Sequence, residues 1–174
     1  MFNLYPININ QVSEMTYANP TLDYATELSD LRSLYVSVHP QSRLNVIRQR
    51  LAQSEIGPTR LVTIVSAVEA LARSLAVHAS VKQGLEIASV YDSYRYEKPE
   101  ALVKEVLNRY GDIEPQTYFK EDTWSLFLSA VGFRNLIVHE CTYLGQDKYP
   151  SLIQASEDIL TSLIILGGLR EVEP

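Results

Sequence analysis

The sequence is poor in several features that mark secreted or membrane-bound chains. It has one cysteine, Cys141, so no disulfide can form within the chain, and a reducing compartment is the simplest setting for it. No basic stretch stands near the N-terminus, where the first Lys or Arg is Arg32, and this argues against a signal peptide. The most apolar stretch, residues 159–169, is too short and too interrupted to span a bilayer. We therefore expect a cytoplasmic protein without membrane contact.

Positive charge is also in short supply. The chain carries 15 Lys and Arg residues against 21 Asp and Glu residues, which gives a net charge of -6. This balance argues against broad, non-specific coating of nucleic acid, which needs a basic face. It does not exclude an RNA-cleaving site, because a few arginines in a cleft can hold a phosphate on an acidic protein.

Glycine is scarce too, at seven residues, and glycine and proline fall mostly between segments with the apolar spacing of helices. The secondary structure of segment 85–96 is ambiguous from its sequence. Pro40 is a plausible stop for the first helix, and Thr59 and Ser151 are candidate caps for two later ones. The predicted helices cover approximately residues 22–38, 42–54, 59–83, 100–110, 120–140 and 152–169.

The helical pattern predicts an all-α fold, an up-and-down bundle of five or six helices joined by short connections. A chain of 174 residues suits one domain, so residues 1–174 are expected to form a single helical domain. Residues 1–20 have a mixed pattern: residues 7–10 alternate like a short strand, and the segment is alternatively interpreted as an N-terminal arm that lies on a neighbour. The broad apolar faces of 59–83 and 120–140 predict a core built around these two helices, with Leu71 and Leu128 both buried.

One segment of the predicted helix 120–140 stands out chemically. It reads Phe-Arg-Asn-Leu-Ile-Val-His-Glu over residues 133–140. Placing Arg134, Asn135 and His139 in an apolar helix is unfavourable unless each side chain finds a polar partner. The three residues are therefore expected to line a cleft or an interface.

These residue types suit RNA cleavage without a metal. Histidine titrates near neutral pH and can take the proton of a ribose 2′-hydroxyl, while arginine clamps a phosphate through two parallel hydrogen bonds. Asn135 shares a helix face with His139 and could orient its imidazole. Arg134 and His139 are five residues apart and point about 140° apart on a straight helix. They converge only if the helix ends or bends there, or if a second copy of the chain completes the site.

The run Arg-Asn-x-x-x-His-Glu, late in an all-helical chain, resembles the signature of the HEPN (higher eukaryotes and prokaryotes nucleotide-binding) superfamily. The resemblance implies a HEPN-like bundle that forms a homodimer with both motifs at the interface. It also implies a metal-independent endoribonuclease of toxin–antitoxin or antiviral systems, with RNA as substrate and a cognate antitoxin or nucleotidyltransferase as partner. By this resemblance Arg134, Asn135 and His139 are catalytic, and Glu140 is a flanking residue of the site.

Further residues are candidates for substrate binding or for supporting the catalytic groups. Arg73 begins a second Arg-x4-His segment that ends at His78, which is either a coincidence of the helix surface or a source of supporting groups. Glu69 is placed to pair with Arg73 one turn away, or to reach the motif at 134–139. Tyr143 lies four residues after His139 and either contacts a substrate phosphate or is a half-exposed residue at the helix end.

Each of these residues also has a purely structural interpretation. Arg134 can form an ion pair with Glu140 or Glu69, Asn135 can bond a neighbouring helix, and His139 can be a core histidine. The connector residues Tyr91, Tyr94, Arg95 and Tyr96 either stack on bases or pack the bundle.

No metal or cofactor is predicted, since His139, Glu140 and Cys141 are consecutive and cannot share a helix face. The alternative function is a non-catalytic HEPN-like module that binds a nucleotide or a protein partner.

Overall fold

The computed structural model describes residues 23–120, 122–142, 145 and 147–170. These residues contain helices and no strands, which confirms the all-α prediction. Tyr143 and the N-terminal arm predicted at residues 1–20 lie outside the described residues. The helices are α1 (Tyr24–Ser37), α2 (Pro40–Leu51), α3 (Gly57–Val81), α4 (Ile87–Tyr94), α5 (Pro99–Gly111), α6 (Pro115–Tyr118), α7 (Thr123–Glu140) and α8 (Tyr149–Leu166).

The described residues thus form eight helices, where the sequence predicted five or six. Six of the eight correspond to predicted segments, and α4 and α6 are additional. Helix α4 forms in the segment that periodicity left ambiguous, where the Glu86 side chain accepts hydrogen bonds from the backbone N–H groups of Ala88 and Ser89. Helix α6 is a single turn of four residues.

Proline starts most of these helices. A residue in the first turn has no intrahelical partner for its N–H, so proline is tolerated there and its fixed φ favours the helix. Five helices have proline in this position: Pro40, Pro58, Pro99, Pro115 and Pro150. As a result α3 begins two residues and α8 three residues earlier than predicted, and neither Thr59 nor Ser151 is a cap.

The chain divides into two compact units between Tyr35 and Val36. Most of α1 lies in the first unit, and none of its residues is buried. The helix is preceded by Asp23, whose carboxylate accepts hydrogen bonds from the side chain and backbone of Thr26 and from the backbone of Ala25. These bonds lower the pKa of Asp23.

In the second unit, α3 runs through the core and packs against α2, α4, α5, α7 and α8. Leu71, at its centre, is fully buried, as the sequence predicted. Among the described helices, α3 alone is long and apolar enough to cross a membrane. However, 61% of its most apolar window is buried against other parts of the protein.

Helix α7 packs on α3 and α8 with one face only. Its buried residues are Trp124, Phe127, Ala130 and Val131, which recur at helical spacing. Leu128 lies on the opposite side and is 42% exposed, so the prediction that it is buried is wrong. Leu128 and Leu136 lie on the exposed side of α7 and Arg134 lies on its packed side, so periodicity could not tell which side faces the core.

The exposed side of α7 has the same helical spacing. We call it the open face of α7, and it consists of Ser125, Leu128, Ser129, Gly132, Asn135, Leu136 and His139.

Candidate functional site

Arg134 lies on the packed side of α7 and binds α3. Its Nη2 donates a hydrogen bond to Oε2 of Glu69 at 2.5 Å, and its side chain is only 16% exposed. Nη2 of Arg73 donates to the other oxygen of Glu69, Oε1, also at 2.5 Å. We call these three residues the Glu69–Arg73–Arg134 cluster. It holds two positive charges and one negative charge, and the Nε of Arg134 is buried without a partner among the described residues.

Arg73 extends the cluster towards α4. Its Nε donates a hydrogen bond to the backbone carbonyl of Tyr94 at 3.2 Å, at the C-terminal end of that helix. Arg73 is largely buried, which contradicts its interpretation as a chance residue on the helix surface. The ion pair with Glu69 one turn away, predicted from spacing, is confirmed. The structural interpretation of Arg134 as a partner of Glu69 is confirmed as well.

His139 and Asn135 lie on the open face of α7, and both are exposed. Neither makes a hydrogen bond or an ion pair with any residue that the structure describes. His139 is therefore not a buried core histidine. The hydrogen bond by which Asn135 was expected to orient the imidazole is not made in this structure.

The motif is split between the two sides of one helix. Helix α7 continues to Glu140 and ends at Cys141, whose φ is 50°, so it ends only after His139 and the two sides do not converge. Glu140 is exposed at this helix end and has no ion pair within the described residues. The structure thus brings Glu69, Arg73 and Arg134 together and leaves Asn135, His139 and Glu140 exposed to solvent.

A second polar cluster links α4 to α5. The hydroxyl of Tyr94 donates to Glu105 at 2.7 Å, and Arg109 donates to that carboxylate through Nε at 2.5 Å and to the Tyr94 hydroxyl through Nη2 at 2.9 Å. Burial raises the pKa of Tyr94, and the bond to Glu105 adds to this. Burial alone would raise the pKa of Glu105, but its hydrogen bonds and the charge of Arg109 lower it. The spacing of Glu105 and Arg109 was the sequence signal for this pair.

The two other histidines meet beside α3. The rings of His39 and His78 lie 5.3 Å apart, edge to face. Nδ1 of His39 accepts a hydrogen bond from the backbone of Gln41 and so caps α2, while Nε2 of His78 lies 3.1 Å from the carbonyl oxygen of Val38 and donates to it. Burial lowers the pKa of His78. Among the described residues, no group of three or more His, Cys, Asp or Glu side chains could hold a metal ion.

Comparison with protein-family models, with curated proteins and with solved structures found no match for this chain. The resemblance to HEPN proteins therefore depends on residues 134–140 and on the helical pattern of the chain. Any function for the site must be argued from the arrangement of its own side chains.

Proposed function

We propose that this protein is a cytoplasmic, metal-independent endoribonuclease of the HEPN type, with a HEPN-like bundle, that works as a homodimer in a toxin–antitoxin or antiviral system. The observation that carries the proposal is the position of His139. It lies at the C-terminal end of the open face of α7, exposed and without a hydrogen-bond partner among the described residues, one turn after the exposed Leu136. Exposed leucines such as Leu128 and Leu136 on one helix face favour an interaction surface.

A second copy of the chain fits this face. In a two-fold dimer the same surface meets itself, so residues near the axis of one copy lie beside the same residues of the other. Ser129 and Gly132 are small and let two helices approach closely, while Leu128 and Leu136 supply apolar area that a dimer would bury. Where the two copies of α7 run parallel to the two-fold axis, such a dimer brings the two His139 side chains together.

The chemistry needs one base, one acid and a positive charge. One His139 imidazole takes the proton of the ribose 2′-hydroxyl, and the 2′-oxygen attacks the adjacent phosphorus. The bond from phosphorus to the 5′-oxygen breaks, and that oxygen takes a proton from the imidazolium of the second copy. The products are a 2′,3′-cyclic phosphate and a 5′-hydroxyl. The Glu69–Arg73–Arg134 cluster lies on the other side of α7, and its net positive charge favours the approach of the phosphate by long-range attraction only.

Cleavage of RNA in the presence of a chelator tests this function. The purified wild-type chain is expected to leave 2′,3′-cyclic phosphate ends, and His139→Ala is expected to leave the RNA intact. His39→Asn is the matched control, because asparagine keeps a cap for α2 and removes a histidine that is not part of the motif. Its cleavage should equal that of the wild type. Equal cleavage by His139→Ala would show that another site, or a contaminant, is responsible.

The dimer is tested separately by sedimentation equilibrium. Leu136→Asp puts a charge on the open face of α7 and should shift the protein towards monomers, with loss of cleavage. Ile165→Asp changes an apolar residue on α8 that is even more exposed and should leave the dimer unchanged. A wild-type chain that stays monomeric at every concentration, or a Leu136→Asp chain that still dimerises, contradicts the proposed interface.

The second candidate is a non-catalytic HEPN-like module that binds a nucleotide or a protein partner, such as a cognate antitoxin or a nucleotidyltransferase. It is favoured by the ion pair between Arg134 and Glu69, which uses the phosphate-clamping residue of the motif in packing. The net charge of -6 also favours it. A well-folded dimer that cleaves no RNA in the chelator assay would select this alternative.

A further inference from the structure

The connector between α4 and α5 exposes an arginine stacked on a tyrosine. The Cζ of Arg95 lies 5.2 Å from the centre of the Tyr96 ring, and Tyr96 is 84% exposed. Arg95 is exposed too and makes no ion pair with any residue in the described ranges. Packing of the bundle therefore does not explain Tyr96, whereas the neighbouring Tyr94 is half-buried and fully hydrogen-bonded.

Hydrogen bonds fix Tyr94, the residue that directly precedes this pair. The carbonyl of Tyr94 accepts a hydrogen bond from Arg73, and its hydroxyl is bonded to Glu105 and Arg109. Because the residue just before Arg95 is fixed at both its backbone and its side-chain end, the pair is presented from a rigid position. A ligand that binds a preorganised surface loses less entropy than one that must order it.

The same contacts join the connector to the candidate site. Arg73 binds the Tyr94 carbonyl through Nε and binds Glu69 through Nη2, and Glu69 in turn binds Arg134. The guanidinium of Arg73 and the carboxylate of Glu69 thus link the connector to Arg134.

We propose that Tyr96 and Arg95 bind an unpaired base of the single-stranded RNA that is cleaved. The inference rests on the proposed ribonuclease function and names its substrate class. An exposed aromatic ring and a planar guanidinium both stack on bases, and bases are free to stack only where the strand is unpaired. RNA is favoured over a protein partner because Arg95 and the net positive Glu69–Arg73–Arg134 cluster, to which the pair is linked, suit phosphate.

Binding is measured with the full chain carrying His139→Ala, so that the probe is not cleaved. Fluorescence anisotropy follows a short labelled single-stranded RNA and, in parallel, the same sequence closed into a hairpin duplex. Adding Tyr96→Ala should weaken binding of the single strand by about tenfold, the loss of one stacked base. Tyr96→Phe keeps the ring and should bind like the parent. Tyr110→Ala removes another exposed tyrosine, one without a cation over its ring in the described residues, and should have no effect.

Unchanged affinity after Tyr96→Ala, or an equal loss after Tyr110→Ala, overturns the inference. A folded chain that binds no RNA at all also overturns it and assigns the exposed pair to a protein partner. If the wild type cleaves RNA in chelator and Tyr96→Ala cleaves with the same KM, the stacking site is wrong while the ribonuclease stands. If no chain cleaves RNA but binding of the single strand depends on Tyr96, the ribonuclease proposal fails and the stacking site stands.

Discussion

Arg73 and Arg134 donate hydrogen bonds to the two oxygens of one carboxylate, that of Glu69. The two arginines begin the two Arg-x4-His segments of the chain, so the segment at 73–78 and the motif at 134–139 are joined in space. Glu69 and Arg73 belong to α3 and Arg134 belongs to α7. The shared carboxylate therefore links α7 to the central helix, α3, and offsets the repulsion between the two guanidinium groups.

Removing the carboxylate of Glu69 should destabilise the fold. In Glu69→Gln the two largely buried guanidinium groups lose their counter-charge but stay close together. We expect a loss of about 2–4 kcal/mol in the free energy of unfolding, which is the order found when one partner of a buried ion pair is removed. Urea unfolding of the full chain measures the change.

The control for this change is Glu157→Gln. Arg60 and Glu157 form a more exposed ion pair between α3 and α8, with a carboxylate side chain that is 36% exposed. Pairs in solvent contribute little, so the expected loss is below about 1 kcal/mol. Equal losses in the two variants would mean that the Glu69–Arg73–Arg134 cluster is no more stabilising than an ordinary surface pair.

The site could be predicted from the sequence only where its contacts are local. The pair of Glu69 and Arg73 follows from their spacing on one helix. The contact between Glu69 and Arg134 was one of two alternatives, because 65 residues separate them and the sequence does not show how α3 and α7 face each other. Whether Arg95 and Tyr96 stack on bases or pack the bundle also stayed open, since exposure depends on tertiary packing.

Two leucines on the central helices should respond differently to truncation. Leu71 is fully buried, so Leu71→Ala should lower the free energy of unfolding by about 2–5 kcal/mol. Leu128 is half-exposed, and Leu128→Ala should change the free energy of unfolding of the monomer by no more than about 0.5 kcal/mol. Urea unfolding at a low protein concentration compares the two. A loss in Leu128→Ala as large as that in Leu71→Ala would mean that Leu128 is covered within one copy of the chain.

Helix ends show why the fold was only partly predictable. The apolar spacing located α3, α7 and α8, but the starts of α3 and α8 were misplaced because serine and threonine caps were preferred over the adjacent prolines. Pro40 has the same ambiguity: it was expected to stop the first helix, and it is also the first residue of α2. A proline that follows one helix and begins the next satisfies both rules, and sequence alone does not decide between them.

Stability should fall in mild acid through His78. Burial lowers its pKa below the ordinary value of 6.5. The hydrogen bond to the Val38 carbonyl opposes this, and the nearby charges of His39 and Lys82 act in the same direction as burial. Between the folded and unfolded pKa values the unfolded chain binds the proton more readily, so stability is complete above about pH 6.5 and falls as the pH decreases below it.

Urea unfolding of the wild type and of His78→Gln, at a series of pH values from neutral to mildly acidic, measures this effect. Glutamine can donate a hydrogen bond to the Val38 carbonyl but cannot be protonated in this range. The variant should therefore lose less stability in acid than the wild type. Superimposable stability curves for the two proteins would refute the contribution of His78.

Arg134→Lys separates the structural role of this residue from its proposed role in cleavage. An ammonium group keeps the charge and can still bind Glu69, so the fold should survive, but the planar fork that holds a phosphate through two hydrogen bonds is lost. Because only Nη2 of Arg134 is used by Glu69 within the described residues, the wild-type guanidinium keeps other donors for a phosphate. We expect kcat/KM for RNA cleavage in chelator to fall about a hundredfold, as when one transition-state hydrogen-bond donor is removed. Arg60→Lys is the matched control, since Arg60 is a similarly buried arginine whose ion pair with Glu157 is not part of the motif, and its cleavage should stay at the wild-type level. If Arg134→Lys cleaves RNA as fast as the control, Arg134 serves the packing of α7 on α3 and takes no part in binding the phosphate.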